Sequence, residues 1–144
     1  MAPLQKRAWW GLGVGLAFAI AFALVFILMG GIESFDTDSN FRLIINVLWL
    51  GGLAANLVIM ELTLRKAMVD ERDKLIRDRA FRIQWLTVVF TLVAWVIALN
   101  EVYQATGLIP AVYLYVIFMS VLIMSTLAQS LGIVIGYRRA NKNG

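Results

Sequence analysis

The sequence contains neither cysteine nor histidine. Without thiols there is no disulfide framework, zinc knuckle, iron–sulfur cluster or cysteine nucleophile. Without imidazole there is no usual haem ligand, no Ser–His–Asp machinery and no HExxH zinc site. These absences set aside most membrane redox subunits and intramembrane metalloproteases, and the sequence calls for no cofactor. Charge is also scarce, at 15% of 144 residues against roughly a quarter in a typical globular domain. Apolar residues take its place: 61% of the chain is hydrophobic and the mean hydropathy is +0.81. The few charges stand in short blocks between long apolar runs, which is the membrane pattern.

The first run, Ala8–Gly30, carries no charge. It is long enough for a hydrocarbon core of about 30 Å at about 1.5 Å per residue. Lys6 and Arg7 precede it as they would a signal peptide, but the run exceeds the roughly 7–15 residues of a signal h-region. An uncleaved first helix is expected. The second run, Leu43–Leu64, contains Asn46, Asn56 and Glu61; the third is Ile83–Leu99 and the fourth Leu108–Tyr137. The expectation is an all-α fold, a single membrane domain over 1–144. It is an integral membrane four-helix bundle with antiparallel up-down topology and helices at about 8–30, 43–66, 71–104 and 108–138. Short loops should make sequential helices antiparallel neighbours.

Basic residues orient the bundle. Placing the N-terminus, the Arg65–Arg82 stretch and the C-terminus on one side gathers every Lys and Arg there except Arg42. The opposite loops carry Glu33, Asp36, Asp38 and Glu101. The positive-inside rule then puts both termini in the cytoplasm. Trp9, Trp10, Trp85 and Tyr137 should lie near the cytoplasmic interface, and Tyr103, Tyr113 and Tyr115 near the outer one. Trp49 and Trp95 fall deeper and should pack in the core.

The segment Asp70-Glu71-Arg72-Asp73-Lys74 is the most distinctive in the chain. Asp70 suits an N-cap, and Glu71 and Asp73 complement a helix dipole in its first turn. Asp70/Lys74, Asp73/Arg77 and Asp78/Arg82 are acid-before-base pairs at i,i+4. One helix of about 50 Å is therefore predicted over 71–104, extending beyond the bilayer into the cytoplasm. The bland reading of the block is a solvated helix start. The sharper one is a docking surface for a cytoplasmic partner or anionic headgroups, with Arg65, Lys66, Arg72 and Arg79 as contacts among Asp70, Glu71 and Asp73. The interspersed acids weaken the lipid version, and they argue against nucleic acid because no basic stripe forms.

This block with Leu75-Ile76, followed by Arg79-Ala80 and a hydrophobic helix, resembles a family of small four-span prokaryotic membrane proteins of unknown function. The resemblance covers roughly residues 40–140. It implies a four-span fold in a prokaryotic plasma (inner) membrane and brings no activity and no functional residues.

Small residues recur at helix-packing spacing in Gly11/Gly15, Gly51/Ala55 and Gly132/Gly136. Ser125, Gln129, Gly132 and Gly136 share one face of the fourth helix, and Gln84, Thr87, Thr91, Ala94 and Ala98 one face of the third. Packing with interhelical hydrogen bonds is the expected use. Asn46, Asn56 and Glu61 are the candidate intramembrane polar or ion-handling residues. Glu61 at i,i+4 from Arg65 fits a structural salt bridge better, and the two asparagines fit interhelical glue. Asp36-x-Asp38-x-Asn40 imitates the start of a calcium loop, but Phe41 and Val47 stand where Gly and Glu are needed. Gly11-x-Gly13-x-Gly15 follows no strand and is no nucleotide fingerprint.

No carboxylate pair, nucleophile–base set or metal cluster can be assembled from these residues, so an enzyme is the least expected reading. The foremost is a non-catalytic accessory, scaffold or regulatory subunit that meets another membrane protein or its own copies through helix–helix contacts in the lipid bilayer. The alternative is a small transporter or channel component moving an ion or solute.

Overall fold

The computed structural model describes residues 3–31, 33–35, 38–64 and 70–142. Its four long helices are α1 (Pro3–Leu28), α2 (Ser39–Leu64), α3 (Glu71–Tyr103) and α4 (Val112–Lys142), with one 3-10 turn at Glu33–Phe35. Each of the four is long and apolar enough to cross a membrane. Arg65 and Lys66 lie outside the described residues, as do Asp36 and Thr37.

Local chemistry sets the helix ends. Pro3 occupies the first helical position of α1, where its missing N–H costs nothing. At the other end Gly30 takes φ +85° and Gly31 φ +76°. The Gly31 N–H then reaches back to the Phe26 carbonyl at 2.9 Å, the closing bond of a Schellman-type stop. α2 starts earlier than the apolar run suggested because Asp38 caps it: its Oδ1 accepts the Asn40 N–H at 2.8 Å. Asp38 and Asn40 of the false calcium motif thus belong to a helix start. α3 opens after Asp70, whose extended backbone marks the N-cap although its side chain makes no capping bond. α4 begins at Val112, later than Leu108, because Pro110 keeps the residue before it out of helical conformation. It continues past Tyr137 to Lys142, since nothing in Arg138-Arg139-Ala140 stops a helix.

α4 is the centre of the molecule. It packs most extensively along α3, then along α1, and more lightly against α2, which also touches α1. α2 and α3 share no substantial interface among the described residues, so these two sequential helices are not the neighbours that short loops suggested. Contacts between α3 and α4 run in opposite directions, from Asp73 with Tyr137 to Tyr103 with Tyr113. Those between α2 and α4 run the same way, from Trp49 with Phe118 to Asn56 with Thr126.

Two clusters form the core, one at each end. At the basic end Leu4, Ala8 and Leu12 of α1 meet Ile76 and Ala80 of α3 and Ile133, Val134 and Tyr137 of α4. At the other, Phe35 on the 3-10 turn seals Phe41, Ile45 and Val112. Phe41 is fully buried with its ring edge-on to Phe26 at 5.5 Å and Phe35 at 5.8 Å. Between the clusters, large apolar side chains face outward along every helix, far beyond the patch a water-soluble monomer tolerates. Hydrocarbon is the solvent in which that surface costs nothing.

Candidate functional site

The α3–α4 seam holds the closest packing and most of the interhelical polar contacts. Ala80 lies against Gly132, where an added Cβ would stand 3.0 Å from the Ala80 Cα and Cβ. Gly136 faces Ile76 in the same way, at 2.6 Å from a side-chain methyl. Glycine at both positions therefore lets the helices approach more closely than a Cβ would allow without a shift of Ala80 or Ile76. Gly15 of α1 does the same job against Leu127 and Thr126, and Gly11 is buried beside it. Gly51 does not. Nothing stands within 4 Å of its would-be Cβ, and its neighbour Gly52 meets Met119 and Phe18. The Gly51/Ala55 pair is thus misassigned by one residue, while Ala55 is half-buried.

Polar side chains cross the seam as a ladder. Gln84 Nε2 donates to Ser125 Oγ at 2.7 Å, and Trp95 Nε1 to Ser120 Oγ at 2.7 Å. The Tyr103 and Tyr113 hydroxyls meet at 3.0 Å, and Arg72 donates to Asn141 Oδ1 at 2.8 Å. Tyr137 donates to Asp73 and is buried in the cluster at the basic end. Trp9, Trp10 and Trp85 are exposed as an interfacial belt requires. Thr87 and Thr91 turn inward on their own helix, donating to the Ile83 and Thr87 carbonyls, and Ala94 and Ala98 are exposed. Among the described residues the predicted small-polar stripe on α3 therefore hydrogen-bonds to α4 through Gln84 alone. Gln129 is half-buried without a hydrogen bond among the described residues, whereas Ser130, unremarked in the sequence, is buried.

Of the candidate ion-handling residues, only Asn56 faces the interior. Its Nδ2 donates to Thr126 Oγ1 and, at 3.5 Å, to the Leu122 carbonyl. It borders a cavity of about 20 Å³ between α1, α2 and α4, room for a single water. Asn46 and Glu61 are exposed, and neither lines that space. The Glu61–Arg65 salt bridge falls outside the described residues, because Arg65 does. Among the described residues, no group of three or more acids could hold a metal ion.

The charged block is sorted by face. None of the three predicted i,i+4 pairs closes among the described residues; instead Arg77 Nε meets Asp78 at 3.7 Å, and Asp73 is taken by Tyr137. Lined by neither of these two acids, a cleft of about 510 Å³ opens between α3 and α4. Arg72, Arg79, Arg82 and Arg139 rim it over a floor of Leu75, Ile76, Gly136 and Ala140, and Glu71 is the one acid in its lining. Asp70 is exposed outside it. Arg72 and Arg79 were legible as candidates. Arg82 and Arg139 were missed, although Arg72, Leu75, Arg79 and Arg82 follow one another at helical spacing and Arg139 stands one turn beyond Gly136. No family model, curated protein or solved structure matches this chain.

Proposed function

We propose that this chain is a non-catalytic, four-span integral membrane protein that works through helix–helix contacts as an accessory, scaffold or regulatory subunit. The four helices form an up-and-down bundle with both termini and the start of α3 in the cytoplasm, as the twelve-to-one distribution of Lys and Arg supports. The prokaryotic plasma membrane is the setting, in keeping with the resemblance around Asp70–Ala80.

One observation carries the reading: α3 rests mainly along α4, meets α1 only at its basic end among the described residues, and leaves an unfilled seam on its outer side. Of its 33 residues only Ile76 and Ala80 are buried. Phe81, Trp85, Val89, Leu92 and Val96 recur at three- and four-residue spacing on one exposed stripe. Beside it a hollow of about 150 Å³ is bounded by Phe81, Gln84, Trp85 and Val88. Gln84, in its lining, carries a buried Oε1 that has no hydrogen-bond partner among the described residues. A side chain from a second helix would fill the hollow.

Extraction in a mild detergent, followed by size analysis and identification of co-purifying proteins, tests this. A second membrane protein, or a second copy, should remain bound, and Trp85→Ala with Val96→Ala should release it. A lone monomer before and after substitution would remove the reading.

A further inference from the structure

We infer that the arginine cleft between α3 and α4 binds the phosphate headgroup of an anionic phospholipid from the adjoining leaflet, held by Arg79, Arg82 and Arg139. The inference rests on the reading that the helices cross the bilayer, and it concerns a different face of α3 from the partner seam.

Charge comes first. Four arginines rim the cleft against one Glu71. Among the described residues Arg79, Arg82 and Arg139 have no carboxylate within salt-bridge distance, since Asp78 is with Arg77 and Asp73 with Tyr137. Of the acids that weakened a lipid reading of the linear sequence, Asp73 and Asp78 are thus engaged, and Glu71 alone lines the cleft. Guanidinium groups match phosphate through their fork of donors. The volume, about 510 Å³, lies in the ~300–1,000 Å³ range of small-ligand sites.

Depth comes second. Ala80 lies against Gly132, and Arg82 stands two residues further toward the apolar run of α3. At that level α4 is still uncharged, running from Gln129 and Ser130 through Ile133 and Val134 to Tyr137, and α1 contributes Ala8 and Leu12 to the same cluster. The arginines of α3 therefore begin where the neighbouring helices are still dressed for hydrocarbon. A cation at such a boundary either reaches outward for headgroups or draws a phosphate to itself.

Continuity comes third. The stripe Arg72, Leu75, Arg79, Arg82 continues at the same three- and four-residue spacing through Leu86, Phe90, Val93 and Ile97, all exposed. One face of α3 thus offers a polar head site followed by an apolar track, the order of chemistry in a phospholipid. A soluble acidic peptide would use the first half and leave the second idle.

The test is native mass spectrometry of the full chain released from nanodiscs of equimolar phosphatidylglycerol and phosphatidylcholine. The wild-type chain should retain phosphatidylglycerol in preference. Arg139→Gln should weaken that preference about fivefold, and Arg79→Gln, Arg82→Gln and Arg139→Gln together on the order of a hundredfold. Arg77→Gln with Arg138→Gln, which removes charge outside the cleft, should leave it intact. Equal retention of the two lipids by the wild type, or an unchanged preference in the triple variant, would overturn the site. Displacement of the lipid by inorganic phosphate as readily as by phosphatidylglycerol vesicles would also overturn it, in favour of a free-anion site. Circular dichroism of each variant checks that the helices persist. A chain that does not span the bilayer fails earlier, by leaving the membrane in alkaline carbonate.

Discussion

At Gly132 the helix approach is decided by a single hydrogen atom. An alanine there would place its Cβ 3.0 Å from the backbone Cα of Ala80, which cannot move without shifting α3. Gly132→Leu should therefore destabilise the protein by about 1–3 kcal/mol, the usual cost of overpacking. Gly51→Leu, on a surface with open space, should stay within about 0.5 kcal/mol. Thermal unfolding in one detergent compares the two, and equal losses would refute the seam. Gln84 and Ser125 offer a second measurement: a double-mutant cycle with Gln84→Leu and Ser125→Ala should give a coupling of about 0.6 kcal/mol. Gln84→Leu alone should cost little, because it also removes an oxygen without a partner. The spacing of small residues made Gly132 and Gly136 legible but misplaced the α2 contact at Gly51. The reason is phase: a helix apolar on every side carries no polar face to say which way a glycine points. Asn46, polar but exposed, misled for the same reason.

Among the elements, α3 was the most legible and its side-chain pairing the least. Its limits follow from Asp70, the acidic first turn and the polar residues after Leu99, and the observed Glu71–Tyr103 agrees with them. Which charges pair depends on the neighbour. Tyr137 of α4 takes Asp73 away from Arg77, and a linear reading of i,i+4 spacing has no access to that contact. The caps separate in the same way. Asp38 bonds the Asn40 N–H, whereas Asp70 makes no side-chain cap bond. Asp38→Ala should cost about 1 kcal/mol of stability and Asp70→Ala a few tenths; the reverse order in denaturant titrations would contradict the two helix starts. The direction of the elements in the membrane has its own test. Cysteines placed singly at Thr106 and Asn141 should be labelled by an impermeant maleimide from opposite sides, Asn141→Cys only after the inner face is opened. Labelling of Asn141→Cys in intact cells would invert the proposed orientation.

For the molecule as a whole, the question is whether the bundle encloses a path or only presents surfaces. A path for an ion needs continuous space and groups that can exchange partners. Among the described residues the interior shows little of either: beside Asn56 there is room for about one water. Its lining oxygen, Thr126 Oγ1, already accepts from Asn56 and donates to the Leu122 carbonyl. The other interhelical polar groups lie along α3 and α4, engaged across the seam by Gln84, Trp95 and Tyr103. Glu61, the one carboxylate within an apolar run, is exposed on α2 and does not line the cavity. The chemistry of the molecule is therefore displayed outward, in the stripe from Phe81 to Val96 and in the arginine cleft. Proteoliposomes containing the purified chain should show no cation or proton flux above protein-free vesicles, and Glu61→Gln should change nothing. A flux that appears with the wild type and falls several-fold in Glu61→Gln would require a path through an oligomer, with Glu61 on its wall, and would replace the accessory reading with the transport one.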